Sequence, residues 1–367
     1  MPQSGTVKWL LAVAAGLTAL FLGLLTLALQ GLSTGFLGLG VGMVLALLPL
    51  PFYMLLVLWI DRFEKEPFWM LAAAFVWGAM VASFFAFVLN TLFDLATTAV
   101  VPAYGHIATA IISAPFIEEL AKGTALIVFY FWRKDEFDGV LDGIIYAAMI
   151  GLGFAMMENI SYYGRSLAAG GFGASVFTFI LRGVVSPFAH PLFTSMTGIG
   201  LGLAQLARTG SPMKFFGPVI GLGFAMFLHA LWNLSATFGI LFFVAYVLVM
   251  VPAFLGLLVL IFISLRKEGR IVREHLFSEF ESGLLEPREY EALCSTGGRL
   301  GQSWQAITHG GFRSWRRSVR FHEAASELAF HRWRTSRGIF PRYETPLARE
   351  AAYLHRLQTM KEHLRHT

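Results

Sequence analysis

The chain has 367 residues, of which 56% are hydrophobic and only 14% are charged, and its mean hydropathy is +0.64. This composition lies outside the range of ordinary soluble domains and predicts a polytopic membrane protein. The single cysteine, Cys294, lies in a polar segment, which excludes a disulfide framework, a thiolate zinc site and a membrane-embedded thiol nucleophile.

The net charge of +5 is distributed unevenly along the chain. Residues 1–265 hold 10 Lys and Arg against 11 Asp and Glu, whereas residues 266–367 hold 18 against 12. We therefore predict a transmembrane core over 1–265 and a basic, helical, cytoplasmic tail over 266–367. Such a tail is expected to contact anionic lipid or cytoplasmic proteins, while nucleic acid is not an expected partner.

The apolar runs predict an all-α fold, because a helix needs about 20 apolar residues to cross a bilayer. About eight transmembrane helices are expected, at residues 9–30, 36–60, 67–95, 107–132, 140–162, 174–207, 214–237 and 240–265. Lys and Arg fall mainly in the connections on one side, which is also the side of the tail. Both termini are therefore expected in the cytoplasm, and the first run is interpreted as an uncleaved span.

Two of these spans carry residues that modify a regular helix. Pro187 and Pro191 lie on either side of His190 in the sixth span, where proline removes a backbone hydrogen bond and predicts a kink or break. Small residues in the fifth span predict close helix packing. These are Gly143, Gly151 and Gly153.

The tail is expected to form two short amphipathic helices, with Pro287 at a first helical position, and a last helix from about Thr345. Between them lies a basic stretch containing tryptophan, which suits the lipid headgroup region. His322 and His331 in that stretch are interpreted as solvated surface residues and not as metal ligands.

Glu118 and Glu119 lie in the middle of the fourth span. A charge at the bilayer centre costs about 2.5 to 3.5 kcal/mol on insertion scales, so carboxylates there normally face a polar cavity and indicate function. Lys122 shares a helix face with both glutamates and can neutralise one of them, while the other titrates separately. A purely structural ion pair is the alternative.

Further polar residues recur in the next three spans. They are Asp142, Glu158 and Asn159 in the fifth, Arg182 and His190 in the sixth, and His229 and Asn233 in the seventh. Glutamate can take a proton from water, histidine can orient that water or return the proton, and an amide can stabilise an oxyanion. Asp142 and Arg182 are interpreted as ion-pair supports, and either histidine taken alone also suits a packing role.

The depth of these groups indicates where they meet. At about 1.5 Å per residue, Glu118 lies roughly 16 Å and His229 roughly 12 Å from the outer ends of their spans. We therefore expect a cavity in the outer half of the membrane that water can enter from outside.

At these residues the sequence resembles the PrsW family of intramembrane proteases, within the superfamily of CAAX prenyl proteases and bacteriocin-processing enzymes. The matching stretches follow the order of the predicted fourth to seventh spans, about residues 107–237. They are EELAK from Glu118, DGIIYAAMIGLGFAMMEN from Asp142, Arg182, HPLFT from His190 and HALWN from His229.

The resemblance implies metal-independent or glutamate-dependent proteolysis, with Glu118 or Glu119 as the general base. Glu158 lies in the motif FAMME, where CAAX proteases carry a histidine, so the division of labour between Glu158 and His190 stays open. The third motif implies oxyanion stabilisation, by His229 and Asn233. Family members of known role make the first cut in a membrane-spanning anti-sigma factor, on its extracytoplasmic side, during envelope stress.

The sequence thus predicts an intramembrane endopeptidase of a bacterial cytoplasmic membrane that cuts a single-pass membrane protein near the outer face. A proton-coupled transporter is the main alternative, although we find no inverted repeat. A non-catalytic scaffold that recruits partners through its tail is another. No cofactor is predicted because the HExxH signature is absent, but the histidines and glutamates could hold zinc, so a divalent metal stays open.

Overall fold

The computed structural model describes residues 5–338 and 345–365. All regular secondary structure in these residues is helical, which confirms the all-α prediction. The chain forms two compact units, one from residues 1–59 and 67–257 and the other from residues 60–66 and 258–367. The polar connection 60–66 therefore belongs with the C-terminal part of the chain.

The first unit is built from long apolar helices. They are α1 (Gly5–Leu47), α2 (Leu50–Ile60), α3 (Phe68–Val76), α4 (Ser83–Val100), α5 (Gly105–Ala108), α6 (Ala114–Trp132), α7 (Val140–Phe179), α8 (Ala189–Leu206), α9 (Met213–Thr237) and α10 (Ile240–Ala245). Short π-helical segments continue α3 into α4, α5 into α6 and α10 into α11 (Val251–His275), and another extends α7.

Five helical stretches in the described residues are long and apolar enough to cross a membrane, so the chain is a multi-pass membrane protein. They are Trp9–Ile60, Phe68–Val100, Val140–Leu206, Met213–Thr237 and Leu241–His275. The longest two are interrupted by glycines of positive φ, Gly35 (75°) and Gly171 (72°). These interruptions separate the predicted first span from the second and the fifth from the sixth. The 19-residue α6 carries three charges and stands outside the five, so the number of crossings stays a prediction.

The helix is broken where the two prolines predicted a kink. The π-helical segment Ile180–Val185 ends before Ser186, and α8 begins at Ala189. Pro187 lies in the intervening turn, where its missing N–H disrupts no helical hydrogen bond. The break makes His190 the second residue of a new helix.

The glycines of α7 allow the close packing that the sequence predicted. A Cβ atom on Gly143 would lie 2.2 Å from the carbonyl oxygen of Gly198 in α8. A Cβ atom on Gly153 would lie 2.2 Å from the carbonyl oxygen of Phe75 in α3. Any side chain at these positions would separate the helices, so α7 is held directly between its neighbours.

The second unit contains the polar half of α11 and four further helices. These are α12 (Phe277–Glu281), α13 (Pro287–Leu293), α14 (Thr296–Ser336) and α15 (Pro346–Arg365). Pro287 occupies the first turn of α13, as predicted, and α15 begins after Thr345, as predicted. The first of the two expected short helices does not begin as a separate helix. Its first part belongs to α11, which continues without a break from the apolar run to His275.

The prediction that His322 and His331 are solvated is wrong. Only 6% of His322 and 5% of His331 is exposed. His322 Nε2 donates to Gln302 Oε1 at 2.8 Å, and His331 Nε2 donates to the carbonyl oxygen of Pro346 at 2.9 Å. The small residues between the histidines let this part of α14 pack in the unit's interior, which its basic composition concealed.

Candidate active site

Glu119 of α6 is fully buried, and both of its carboxylate oxygens accept hydrogen bonds. Its Oε1 accepts hydrogen bonds from Lys122 Nζ at 2.8 Å and from His229 Nδ1 at 3.0 Å. Its Oε2 accepts from Thr194 Oγ1 at 3.1 Å. This carboxylate is therefore fixed by residues of three helices, α6, α8 and α9.

Glu118 has a different environment, because consecutive residues point about 100° apart on a helix. Its Oε1 accepts from Asn90 Nδ2 at 3.3 Å, and the Asn90 oxygen in turn accepts from Ser113 Oγ at 2.8 Å. Its Oε2 is buried and has no hydrogen-bond partner among the described residues. That oxygen lies 3.6 Å from Lys122 Nζ and 3.8 Å from His229 Nε2.

Lys122 is fully buried and connects Glu119 to His190. Its Nζ lies 3.1 Å from His190 Nδ1 and 3.8 Å from the centre of the Phe154 ring. A lysine ammonium only donates, so His190 Nδ1 accepts and the ring hydrogen is on Nε2. That Nε2 donates to Glu158 Oε2 at 2.7 Å.

Glu158 is held by an ion pair as well as by His190. Arg182 Nη2 donates to Glu158 Oε2 at 2.6 Å, and Arg182 Nε donates to Asn159 Oδ1 at 2.6 Å. The guanidinium lies 3.7 Å from the centre of the Tyr162 ring. Arg182 therefore balances the charge of Glu158, and Glu158 in turn orients the imidazole of His190.

The packing of α7 against α8 places His190 beside Glu158. A Cβ atom on Gly151 would lie 2.8 Å from the carbonyl carbon of His190 and 2.7 Å from the nitrogen of Pro191. Gly151 is two turns before Glu158 on the same helix. The absence of a side chain at Gly151 thus lets the first turn of α8 approach α7 closely enough for the histidine to reach the carboxylate.

A cavity of about 650 Å³ adjoins the cluster. Glu118, Glu158, Arg182 and Asn233 are among its lining residues. It extends to residues near helix ends, namely Asp94, His106, Arg165 and Thr237. Asn233 Nδ2 donates to the carbonyl oxygen of Ala110 at 2.8 Å, which leaves its second amide hydrogen for another acceptor.

Asp142 is the predicted site residue that the structure does not bring to this cluster. Its carboxylate accepts from the backbone N–H groups of Asp138 at 2.9 Å and Gly139 at 2.6 Å. It lies 16 residues before Glu158, about 24 Å along α7. Asp142 therefore stabilises the beginning of the helix that carries Glu158.

Asn90 and Ser113 contribute to the site, although the sequence analysis did not select them. A signal was present for Asn90, since Ser83, Asn90 and Asp94 recur at spacings of seven and four in one apolar run. That spacing places them on one helix face, and all three line the cavity. Ser113 carried no comparable signal.

Three of the predicted residues form the group in the described part of the chain that could hold a metal ion. Glu118, His190 and His229 each offer one ligand atom, and these atoms lie within 4.8 Å of one another. All three residues are buried.

Comparison with known proteins finds one family and several relatives. The model of the PrsW family intramembrane metalloprotease matches residues 66–257. Protease PrsW of Geobacillus kaustophilus is 33% identical over 147 residues, which are 40% of this chain and 59% of that protein. Protease PrsW of Oceanobacillus iheyensis is 28% identical over 171 residues, 46% of this chain and 70% of that protein.

Protease PrsW of Bacillus subtilis is 26% identical over 155 residues, which are 42% of this chain and 65% of that protein. No solved structure matches the chain significantly. The family match covers more than half of the 367 residues and includes every residue of the buried carboxylate and histidine cluster, so the chain belongs to the PrsW family of intramembrane metalloproteases.

Proposed function

We propose that this protein hydrolyses a peptide bond of a membrane-embedded substrate, with Glu118 as the general base. The observation that carries the proposal is the state of the Glu118 Oε2 atom, which is buried beside a large cavity and has no hydrogen-bond partner in the described part of the chain. A general base needs a free lone pair within reach of the water that it deprotonates. Glu119 is less suited, because both of its oxygens already accept hydrogen bonds and it does not line the cavity.

The remaining residues have roles that follow from their contacts. Glu118 takes a proton from water, and the hydroxide attacks the carbonyl carbon of the substrate. The second amide hydrogen of Asn233 is available to the negative charge that develops on the carbonyl oxygen. His229 Nε2, 3.8 Å from Glu118, is placed to pass the proton to the leaving amine nitrogen.

Two residues position this machinery without facing the cavity. Glu119 fixes the imidazole of His229 through Nδ1, so that Nε2 is directed to Glu118. Lys122 holds both Glu119 and His190. His190 links this group to the Glu158 and Arg182 ion pair, and this contact supports a positioning role for both Glu158 and His190.

The family description implies a metal, and the donor atoms test that implication. Glu118 Oε2 has no hydrogen-bond partner among residues 5–338 and 345–365, and His229 bonds Glu119 through Nδ1, which leaves Nε2 for a metal. His190 does not, because Nδ1 accepts from Lys122 and Nε2 donates to Glu158. Two donors are fewer than the three that a catalytic zinc site uses, and an ammonium lies 3.6 Å from one of them. The arrangement therefore does not fit a resident metal, and acid–base chemistry carries the proposal.

We further propose that the substrate is a single-pass membrane protein cut near the outer face, with both termini of this chain in the cytoplasm. The cavity extends to Asp94, His106 and Arg165, which lie at the helix ends opposite the basic connections. Those basic connections are expected to be cytoplasmic. Single-pass anti-sigma factors are the substrate class to test first, in a bacterial cytoplasmic membrane.

One observation favours proton transport as a second candidate. A continuous series of polar contacts of 3.1 Å or less links Glu119, Lys122, His190, Glu158 and Arg182 in that order. Such chains of ionisable groups can conduct protons within a membrane. This series of contacts ends at Arg182. Because arginine keeps its proton in proteins, it cannot pass a proton on, and hydrolysis accounts better for the arrangement.

The decisive experiment is cleavage of single-pass anti-sigma factors in liposomes that contain the full-length protein. We expect cleavage by the wild type and a loss of about 10²- to 10⁴-fold in Glu118→Gln, as for removal of a general base. Glu281→Gln, at an exposed position of α12, is the matched control and is expected to cleave normally. Undiminished cleavage by Glu118→Gln would refute the assigned base. Proton flux through the wild type without any cleavage would favour transport.

A further inference from the structure

The first segment of α14 and the kink that ends it expose large apolar side chains. Leu300, Trp304 and Ile307 are spaced by four and three residues, so they lie on one side of the helix. Their exposed fractions are 44%, 70% and 41%. Phe312, which follows a glycine of positive φ at Gly311, is 65% exposed. We call these four residues the apolar face.

A row of arginines follows the kink at Gly311, on the second segment of α14. Arg313, Arg316, Arg317 and Arg320 are all exposed, and none forms an ion pair with another residue of 5–338 or 345–365. Residues 296–320 contain five arginines and neither Asp nor Glu. We call the four exposed residues the arginine row. Its charge is therefore not balanced within its own segment.

The beginning of α14 is fixed within the second unit. Arg299 is 4% exposed and donates to the carbonyl oxygen of Leu293 at 2.9 Å, to that of Arg62 at 3.0 Å and to Ser326 Oγ at 2.8 Å. Its guanidinium also lies 4.2 Å from the centre of the Phe63 ring. The first segment of α14 is thus anchored within the second unit, while its apolar face stays exposed.

The second unit is covalently continuous with apolar helices long enough to cross a membrane. Residues 60–66 belong to the unit and join α2 to α3, which are parts of two apolar stretches long enough to cross a membrane. The unit is also continuous with the apolar half of α11. Covalent connections at three points therefore join the second unit to apolar helices that can cross a membrane.

We propose that the apolar face and the arginine row form a binding surface for the headgroups of anionic phospholipids. The apolar face enters the boundary between headgroups and acyl chains, and the arginines contact the phosphates. Each arginine near an anionic surface contributes about 1 kcal/mol. Tryptophan beside aliphatic residues is typical of the membrane interface. Binding to a nucleic-acid backbone would use the arginines but would leave Leu300 and Ile307 exposed.

The test uses full-length protein in nanodiscs, with a fluorescent label that is sensitive to polarity. The label is attached through Thr308→Cys, an exposed position next to the apolar face. Burial raises the pKa of the native Cys294 thiol to about 11, so that thiol stays protonated at neutral pH and does not compete for the label. Nanodiscs of phosphatidylcholine alone are compared with nanodiscs that also contain phosphatidylglycerol.

We expect a rise in emission, and quenching by spin-labelled lipids, only when phosphatidylglycerol is present, with both effects weakened by added salt. Arg316→Gln combined with Arg317→Gln should lower the ratio of docked to undocked protein by about thirtyfold. Arg288→Gln combined with Arg337→Gln removes the same charge from exposed positions elsewhere and should leave the ratio unchanged.

Three outcomes would overturn the proposal. One is the same emission in both kinds of nanodisc. Another is an equal loss in the two double variants, since that would reflect net charge and not this surface. The third is a larger emission change on adding a short DNA duplex to phosphatidylcholine nanodiscs, which would make the surface a nucleic-acid site.

Discussion

Glu118 and Glu119 are neighbours in the chain, but their carboxylates differ in how closely they approach the ammonium of Lys122. Glu119 Oε1 lies 2.8 Å from the fully buried ammonium of Lys122, whereas Glu118 approaches that ammonium only to 3.6 Å. A buried charge that loses its partner destabilises a protein strongly, because its desolvation is no longer compensated. Activity alone therefore does not distinguish the two glutamates, but stability does.

We predict that Glu119→Gln lowers the free energy of unfolding by about 3 to 5 kcal/mol, since Lys122 then lacks its closest anion. Glu118→Gln should cost much less, because one of its oxygens has no hydrogen bond to lose. Thermal unfolding of both purified variants in detergent is the measurement. Equal destabilisation by the two substitutions would contradict the separate roles assigned to these residues.

The hydrogen-bonding state of His190 leads to a prediction about metals. Because both of its ring nitrogens are engaged, by Lys122 and by Glu158, we expect cleavage by the wild type to survive exhaustive chelation of divalent ions. Cleavage before and after dialysis against a chelator is the measurement, with a zinc-dependent protease as the positive control for metal removal. Loss of activity that zinc restores would show that Lys122 leaves His190 and that the metal site forms.

At the scale of the helices, Gly151 sets the distance between α7 and the first turn of α8. We predict that Gly151→Ala lowers cleavage at least tenfold, because its Cβ would meet the backbone at His190 and Pro191 and displace the imidazole from Glu158. Overpacking of this kind also destabilises a protein by about 1 to 3 kcal/mol. Cleavage rate and thermal unfolding are measured together.

Gly173→Ala provides the matched control for that substitution. Gly173 lies in α7 beyond the interruption at Gly171, and its added Cβ would meet nothing within 4 Å. The control should therefore retain full activity. If both variants were equally impaired, helix flexibility and not the position of His190 would account for the effect.

The same helices show what the sequence could and could not predict. Pro187 predicts the break before His190, because proline lacks the backbone N–H that a helix interior requires. The breaks at Gly35 and Gly171 carry no such signal, since glycine in a membrane helix serves close packing as often as a turn. The polar spacings placed Glu118, Glu158, His190 and His229 on faces that converge, but which carboxylate binds Lys122 most closely depends on side-chain geometry that spacing does not determine.

At the scale of the whole chain, the sequence shows where apolar composition gives way to polar composition. It does not predict that residues far from the tail belong to the same unit. Residues 60–66 belong to the second unit, and the carbonyl oxygen of Arg62 accepts from Arg299, which is 237 residues away. A contact between a side chain and a distant backbone group leaves no pattern in one sequence. For the same reason, the burial of His322 could not be predicted from its basic surroundings.

The buried His322 makes the stability of the second unit dependent on pH. Burial, with the charges of Arg299 and Lys65, lowers the pKa of His322 from about 6.5 to about 3. Between these values the unfolded chain binds a proton that the native protein does not, so stability falls as the pH falls below about 6.5. At about 1.36 kcal/mol per unit, the loss at pH 5 is about 2 kcal/mol.

His322→Gln removes the titration but retains a donor for Gln302, so the wild type should lose about 2 kcal/mol more than this variant between pH 7 and pH 5. Unfolding of the full-length protein in detergent measures the difference, in which the other titrating groups cancel, and His309→Gln, at an exposed position of α14, should behave like the wild type. The same acid sensitivity in wild type and His322→Gln would mean that this histidine is hydrated in solution.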